Sequence, residues 1–495
     1  MGLSATHAAQ APGDRLDPRV WRMASVVLLG PLMSSLDSTV VNVSLARLAH
    51  DLQAPLARIQ WVTTGYLLAL ALMLPLSGWL VDRLGAKRVY LGCFIAFTAA
   101  SVLCGLTTSA EGLITCRVLQ GMAGGLLAPM AQMMIARGAG RHMAKVMGLM
   151  IAPVLLGPIF GPALAGAILQ HAGWQWIFFI NVPIGVFATF MALWLLPAEA
   201  PAREPRPFDL TGFLLLSPGL VLLLHSMEHF GSSSRMPLRD PLEGALALLL
   251  LAGFAAHARR RGSEALVDFR LLRTGNFLVS SATQFLVNGV AYGGQLLIPL
   301  FLILERGATP MQAGMLLAPA GVGMLFSFPS AGMLTARFGA RRVSATGAAI
   351  ALLGTLPFAL GPWRALAPWI LSAALFVRGA GLGAISLPSL AAAYAGIAPE
   401  RIPSATTVIN IVQRLGGPLA TMALALVLNA GTPHLAGARP DPASFALAFW
   451  LLCGLHGATM LSALRLPLEL DHSGGNVTPP AAGPTPSPCP PRTRP

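Results

Sequence analysis

Fourteen stretches of this chain are long and apolar enough to cross a bilayer, and no other feature limits its fold as strongly. A spanning helix needs about 20 mostly apolar residues. Such windows fall at 21–46, 61–81, 88–108, 112–134, 145–169, 175–196, 210–229, 242–258, 276–303, 311–334, 342–361, 366–394, 404–430 and 444–466. The residues are 55% hydrophobic and only 11% charged, with a mean hydropathy of +0.68. A soluble chain of 495 residues could not cover its surface with so little charge. Its 52 glycines and 40 prolines follow no collagen period, so fibrous classes are excluded. The expectation is an all-α integral membrane protein with fourteen spans.

The net charge of +14 does not point to nucleic acid, because its 33 Lys and Arg come in small groups between apolar windows rather than on one face. They follow the positive-inside pattern. With the N-terminus inside, 23 fall on the inner side and 7 on the outer, while Arg117, Arg378 and Arg414 lie within windows. The bias predicts both termini in the cytoplasm. Met1–Asp17 is polar, so no cleavable signal peptide is expected. The five cysteines show neither paired nor metal-ligand spacing, so no metal site is expected. The tail from His472 is rich in Pro, Gly, Ser and Thr, which predicts disorder.

An internal repeat divides the chain. Leu74–Val89 (LPLSGWLVDRLGAKRV) and Phe328–Val343 (FPSAGMLTARFGARRV) share eight of sixteen positions at an offset of 254. Two parallel halves of six helices with an inserted pair account for all fourteen windows. The predicted boundaries are a cytoplasmic segment at 1–20, a six-helix bundle at 21–200, and a two-helix linker at 201–270. A second six-helix bundle follows at 271–467, then a disordered cytoplasmic tail at 468–495.

The loop Gly78-Trp-Leu-Val-Asp82-Arg83-Leu-Gly85-Ala-Lys87-Arg88 resembles the hallmark loop of the major facilitator superfamily, with Ala86 where a basic residue is usual. Asp82 and Arg83 at a helix end can make charge-assisted bonds to a neighbouring helix terminus, so these residues are candidates for a cytoplasmic gate. A plain basic loop with a glycine turn is the alternative. In helix five, Gly148, Gly157, Gly161-Pro162 and Gly166 resemble that superfamily's antiporter motif, G-x8-G-x3-GP-x2-GG, with Ala165 in place of one glycine. Gly157, Gly161 and Ala165 form a small-residue stripe suited to close helix contact. Pro158 and Pro162 form a second stripe that bends the helix. Ordinary helix packing would also explain these stripes.

Helix one carries Leu36-Asp37-Ser-Thr39-Val-Val-Asn42-Val43, similar to the fourteen-helix drug:proton antiporters of the EmrB/QacA type. Arg117-Val-Leu-Gln120-Gly121 and Asn410-Ile-Val-Gln413-Arg414-Leu-Gly416-Gly417 match further motifs of that group. The resemblance covers about residues 20–466. It implies two six-helix bundles with an inserted pair, in a bacterial inner membrane, and proton-coupled efflux of lipophilic, often cationic, compounds by alternating access. It also leaves open a periplasmic adaptor as partner. Asn42, Gln120, Asn410, Gln413 and Arg414 are candidates for the substrate cavity.

Asp37 is the only acidic residue well inside any window. At 1.5 Å per residue it lies about 14 Å from the outer end of its helix, and Arg117 lies about 8 Å from the outer end of its own. The two can therefore meet, directly or through Gln120. An isolated charge at that depth costs at least several kcal/mol, so a neutral carboxyl is an accessible state and Asp37 with Arg117 is the candidate proton-coupling pair. A pair that only fixes helix packing is the other reading. No G-x4-GK[ST] loop occurs, so the proton gradient rather than ATP or another cofactor is the expected energy source. The sequence leaves two rivals standing: an exporter of one endogenous metabolite or antibiotic, and a non-transporting receptor or scaffold. The chain is not read as an enzyme.

Overall fold

The computed structural model describes residues 18–139, 143–197, 207–230, 239–360, 367–430 and 441–467. Within helices it leaves out the side chains of residues 149–156, 158, 159, 162, 163, 228–230, 239, 240, 263 and 310. The N-terminal segment, the tail and the side chains of Pro158 and Pro162 thus lie outside the described residues.

All regular structure among the described residues is helical. The first half comprises α1 (Pro18–Asp51), α2 (Leu56–Ile59), α3 (Trp61–Met73), α4 (Ser77–Leu84), α5 (Ala86–Leu106), α6 (Ala110–Ala139), α7 (Met143–His171), α8 (Trp176–Phe179) and α9 (Asn181–Leu195). Two helices follow, α10 (Leu210–Phe230) and α11 (Arg239–Arg261). The second half comprises α12 (Gly275–Leu304), α13 (Pro310–Leu360), α14 (Pro368–Tyr394), α15 (Ile402–Ala430) and α16 (Pro442–Ala463). Several helices overrun their apolar windows, α1 reaching Asp51 where the window stops at 46. Helix hydrogen bonding continues through polar residues that no hydropathy window counts.

Twelve helices among the described residues are long and apolar enough to cross a membrane. One of them, Met311–Leu360, has 50 residues, about 75 Å at 1.5 Å per residue against a bilayer core of ~30 Å. It is broken at Gly339, whose φ of 83° and ψ of 159° are not helical. Gly85, its counterpart in the repeat, has φ 81° and ψ 149°. This backbone region favours glycine because a Cβ is strained there. The repeat seen in the letters is therefore a repeat of backbone geometry.

One apolar cluster is confined to α12–α16. Another runs from the first half through α10, α11 and Val267 into Leu390, Tyr394 and Ile402 of the second. It joins the halves at the end where α1 begins and α16 finishes, here called the termini end. Helix α10 leans on both α3 and α15. On the outside, Phe187, Phe190 and Trp194 of α9 and Leu246 and Leu249 of α11 are exposed. Such a surface is stable only in contact with hydrocarbon.

Candidate functional site

Five elements of the first half converge on one buried carboxylate. Asp37, on α1, is 1% exposed, and Arg117, on α6, is fully buried. Arg117 Nη1 donates to Asp37 Oδ2 at 2.6 Å. Asp37 Oδ1 accepts from Gln120 Nε2 at 3.1 Å and from Asn181 Nδ2, at the start of α9, at 2.8 Å. Arg117 also donates from Nη1 to Gln120 Oε1 (2.7 Å) and from Nε to the Val62 carbonyl of α3 (3.1 Å). Gln120 Nε2 reaches Ser101 Oγ on α5 at 2.7 Å. The Arg117 guanidinium lies 4.1 Å from the centroid of the Tyr66 ring, and Tyr66 Oη meets Ser34 Oγ at 2.8 Å.

The cluster is neutral as a whole, and its carboxylate has three donors, which compensates the burial of both charges. Two polar atoms are left over. Arg117 Nη2 and Asn181 Oδ1 are buried without a partner. Buried orphans of this kind are uncommon.

The helix-five glycines set this site against its neighbour. A Cβ on Gly157 would come 2.5 Å from Ser35 Oγ, and one on Gly161 would come 2.7 Å from Thr39 Cγ2. Those residues flank Asp37, so the stripe lets α7 lie against α1 at the depth of the carboxylate. Gly148 instead approaches the Phe328 carbonyl of the second half, and a Cβ on Gly166 would meet nothing within 4 Å.

The hallmark-loop residues lie at the termini end and divide among several tasks. Lys87 Nζ donates to the carbonyls of Leu193 (2.8 Å) and Leu196 (2.7 Å), closing the C-terminus of α9. A cation there meets unpaired carbonyls and the negative end of the helix dipole. Arg341, the repeat counterpart of Lys87, donates through Nε to the Leu466 carbonyl just past α16. Arg83 stacks over Trp79, and Asp82 faces a crevice lined also by Trp79, Asp209, Leu266 and Ser404. Gly78 packs on the Pro403 carbonyl of α15. Gly85 forms the turn, and Arg88 is exposed.

The candidate cavity residues separate. Gln120 belongs to the Asp37 cluster. Asn42 is exposed and accepts from Thr63 Oγ1 at 3.1 Å. Asn410 Nδ2 donates to Gln132 Oε1 of α6 at 2.8 Å, and Ser77 meets Thr407 at 3.0 Å. Both bonds cross between halves near the termini end. Gln413 Nε2 donates to Gln284 Oε1 at 2.8 Å within the second half. Arg414, also on α15, is half-buried.

The bundle thus has two such halves, a turn glycine repeated in each and a buried ion pair between α1 and α6. The family model described as Major Facilitator Superfamily matches residues 27–421. The chain belongs to this superfamily. It is a multi-pass membrane protein, as the apolar windows predicted.

Among curated relatives, a multidrug resistance protein B homolog of Mycobacterium tuberculosis is 35% identical over 420 residues, covering 84% of this chain and 77% of that protein. A Yersinia enterocolitica protein named for multidrug resistance, MdtD, is 31% identical over 412 residues, covering 82% and 86%. Among solved structures, the human organic anion transporter MFSD10 superposes with a TM-score of 0.62 at 15% identity, covering 90% of this chain and 100% of that one. The proton:xylose symporter XylE gives 0.61 at 14% identity, covering 89% and 94%. These likenesses extend the family assignment to the fold.

Sequence reasoning did not single out Asn181, Ser101 or Tyr66. Asn181 carried a signal, as a lone amide among the apolar residues IFFI and VPIGV. Ser101 carried another, because its repeat position 254 residues on is Thr355. That residue is also buried and bonded, to His456 Nε2 at 3.0 Å.

Proposed function

We propose that this chain is a proton-coupled efflux antiporter for lipophilic compounds, working by alternating access in a bacterial cytoplasmic membrane. Its kinship with proteins named for multidrug resistance supports a multidrug range. In this reading α7 and the two parts of α13 bring the spans to fourteen, and the termini end faces the cytoplasm, where most basic loops fall.

One observation carries the proposal: Asp37 is a buried carboxylate held by an arginine and two amides, on the first helix of a carrier. A proton on Asp37 removes the charge that Arg117 answers. Breaking a buried pair in this way costs ~3–5 kcal/mol, enough to bias a two-state carrier. Protonation also turns one carboxyl oxygen from acceptor into donor. Rotation of the Asn181 amide would offer its spare Oδ1 to that proton, so Asn181 is assigned as the positioning residue. Glycines 157 and 161 let α7 follow α1 as the pair rearranges. The hydrogen bonds of Asn410 to Gln132 and Ser77 to Thr407 are the cytoplasmic closure that must open when the carrier turns.

The test uses protein reconstituted in liposomes with an imposed pH gradient and a fluorescent substrate. Asp37→Asn should insert normally and lose uphill transport to background. Uphill transport at the wild-type rate in that variant would move the coupling elsewhere.

A further inference from the structure

The bilayer-facing side of the first half carries a trough that its own packing does not explain. On α5, Arg88, Gly92, Ala96, Ala99 and Leu103 follow one another at steps of four, four, three and four residues, which places them in one stripe along the helix. All five line an open cavity of about 480 Å³, within the ~300–1,000 Å³ of ordinary ligand pockets. Met73 and Leu84, at the ends of α3 and α4, line it too, as do Met122 and Leu126 of α6. Small residues on a spanning helix normally mark a close helix contact, yet here they face outward. Gly92, Ala96 and Ala99 are exposed, and a Cβ on Gly92 would meet nothing within 4 Å. Elsewhere on α5 the exposed positions hold large residues such as Ile95 and Leu106.

One end of the trough is charged and the rest is apolar. Arg88 is exposed in the first turn of α5, and its guanidinium has no hydrogen bond or ion pair among the described residues. Its neighbours in the hallmark loop are engaged, Arg83 with Trp79 and Lys87 with the carbonyls of Leu193 and Leu196. The first turn of α5 contains no acidic residue, and a basic side chain at the positive end of a helix dipole is uncompensated until an anion joins it. Among the described residues that line the trough none is acidic, so an ammonium group finds no partner there. From Arg88 to Leu103 the stripe runs about 22 Å, longer than the ~15 Å of hydrocarbon in one leaflet. An acyl chain can therefore lie in it over its whole length.

We propose that the trough is a binding site for an anionic phospholipid of the leaflet at the termini end, with its phosphate on Arg88 and one acyl chain along Gly92, Ala96 and Ala99. Arginine suits this task because its planar donors match phosphate oxygens in pairs. A headgroup with a net negative charge is preferred to a zwitterionic one, because only the phosphate is answered. Leu84 and Arg88 stand on either side of the Gly85 turn, so the bound lipid touches both helices that the turn connects. The site is independent of the compound carried and of the residue that takes the proton.

The test is native mass spectrometry of the purified full-length protein titrated with dioleoyl phosphatidylglycerol or dioleoyl phosphatidylcholine, which share their chains and differ in headgroup. Phosphatidylglycerol should bind at least about tenfold more tightly. Arg88→Gln should lower its affinity to that of phosphatidylcholine, and Arg88→Lys should keep part of the preference, with each variant first shown to be monodisperse. Gly92→Leu should weaken both lipids by filling the trough and, since a Cβ there meets nothing, leave the unfolding temperature unchanged. Arg260→Gln, at an exposed arginine of α11 outside the trough, should change neither affinity. Equal affinity for the two lipids, wild-type binding in Arg88→Gln or Gly92→Leu, or a loss in Arg260→Gln as large as in Arg88→Gln would overturn the proposal. So would glycerophosphoglycerol, the same headgroup without chains, binding as tightly as the lipid, because the site would then be one for soluble anions.

Discussion

In each half, an arginine on the fourth helix reaches the first helix, and what it finds there differs. Arg117 finds the Asp37 carboxylate, supported by Gln120 and Asn181. Arg378 finds only the Val290 backbone carbonyl, and it has room because Gly294 has no side chain to meet its guanidinium. The third and sixth helices repeat the contrast. Ser101 and Asn181 join the Asp37 cluster, whereas Thr355 and His456 bond each other. Thr355 Oγ1 donates to the Ala351 carbonyl at 2.8 Å, so His456 must be the donor through Nε2, and its Nδ1 is left bare. One scaffold thus holds a carboxylate–arginine pair in one half and, in the other, an arginine that meets no carboxylate among the described residues. A single acid on one side is enough to give the duplicated halves different polar clusters.

The largest expected difference follows from the two arginines. Arg117→Gln strands the Asp37 charge and should destabilise the protein by ~3–5 kcal/mol. Arg378→Gln loses one bond to a carbonyl and should cost ~1–2 kcal/mol at most. Thermal unfolding in detergent would measure both. Equal losses would mean that the two halves balance their buried charge in the same way.

Close helix contacts sharpen the comparison. A Cβ on Gly416 of α15 would run into the Phe285 carbonyl of α12, a backbone atom. On Gly161 it would meet only the Thr39 side chain, which can turn. Gly416→Ala should therefore cost about 1–3 kcal/mol as overpacking, Gly161→Ala less, and Gly166→Ala within ~0.5 kcal/mol. The same unfolding series ranks the three.

The inserted pair is fastened by Asp209, just before α10. Its carboxylate accepts from the Gly212 amide (3.0 Å), His257 (2.8 Å), Arg261 (3.2 Å) and the Leu266 amide (3.1 Å). Burial pushes this carboxyl up, but the bonds from Gly212, His257 and Leu266 outweigh it and hold it below the ordinary value. Because the folded value lies below the unfolded one of ~3.9, its stabilisation is complete at higher pH. It is lost as pH falls from there through the folded value. The unfolding temperature should drop across that acidic window, and Asp209→Asn should flatten the drop.

The smallest effect expected is a matched one. Lys87→Ala and Arg341→Ala each uncover carbonyls at the end of their half's sixth helix and should each cost ~0.3–1 kcal/mol. A large inequality between them would show that the clamp is shared unevenly.

Much of this molecule is legible in its letters. The apolar windows locate the helices because lipid forces every backbone polar group into internal hydrogen bonds. The repeat at 254 residues announces the paired glycine turns, since little besides glycine adopts φ near 80°. Asp37 and Arg117 stand out because a charge in an apolar window is costly enough to require a reason. What surrounds them is less legible. Asn181 is 144 residues from Asp37, and no periodicity along one helix indicates which residue of another will meet it.

The same limit separates the hallmark-loop residues. In sequence Asp82, Arg83, Lys87 and Arg88 form one charged run. In space Lys87 closes a helix end while Arg88 is exposed, because adjacent residues of a helix point about 100° apart around its axis. Sequence by itself determined the helical class, the internal duplication and the presence of one deep acid among three deep arginines. Only the tertiary structure decided that the acid is already claimed by Arg117, Gln120 and Asn181. Burial and hydrophobicity act on each residue singly and leave their mark in the chain, whereas charge pairing is settled by which helices come to lie side by side.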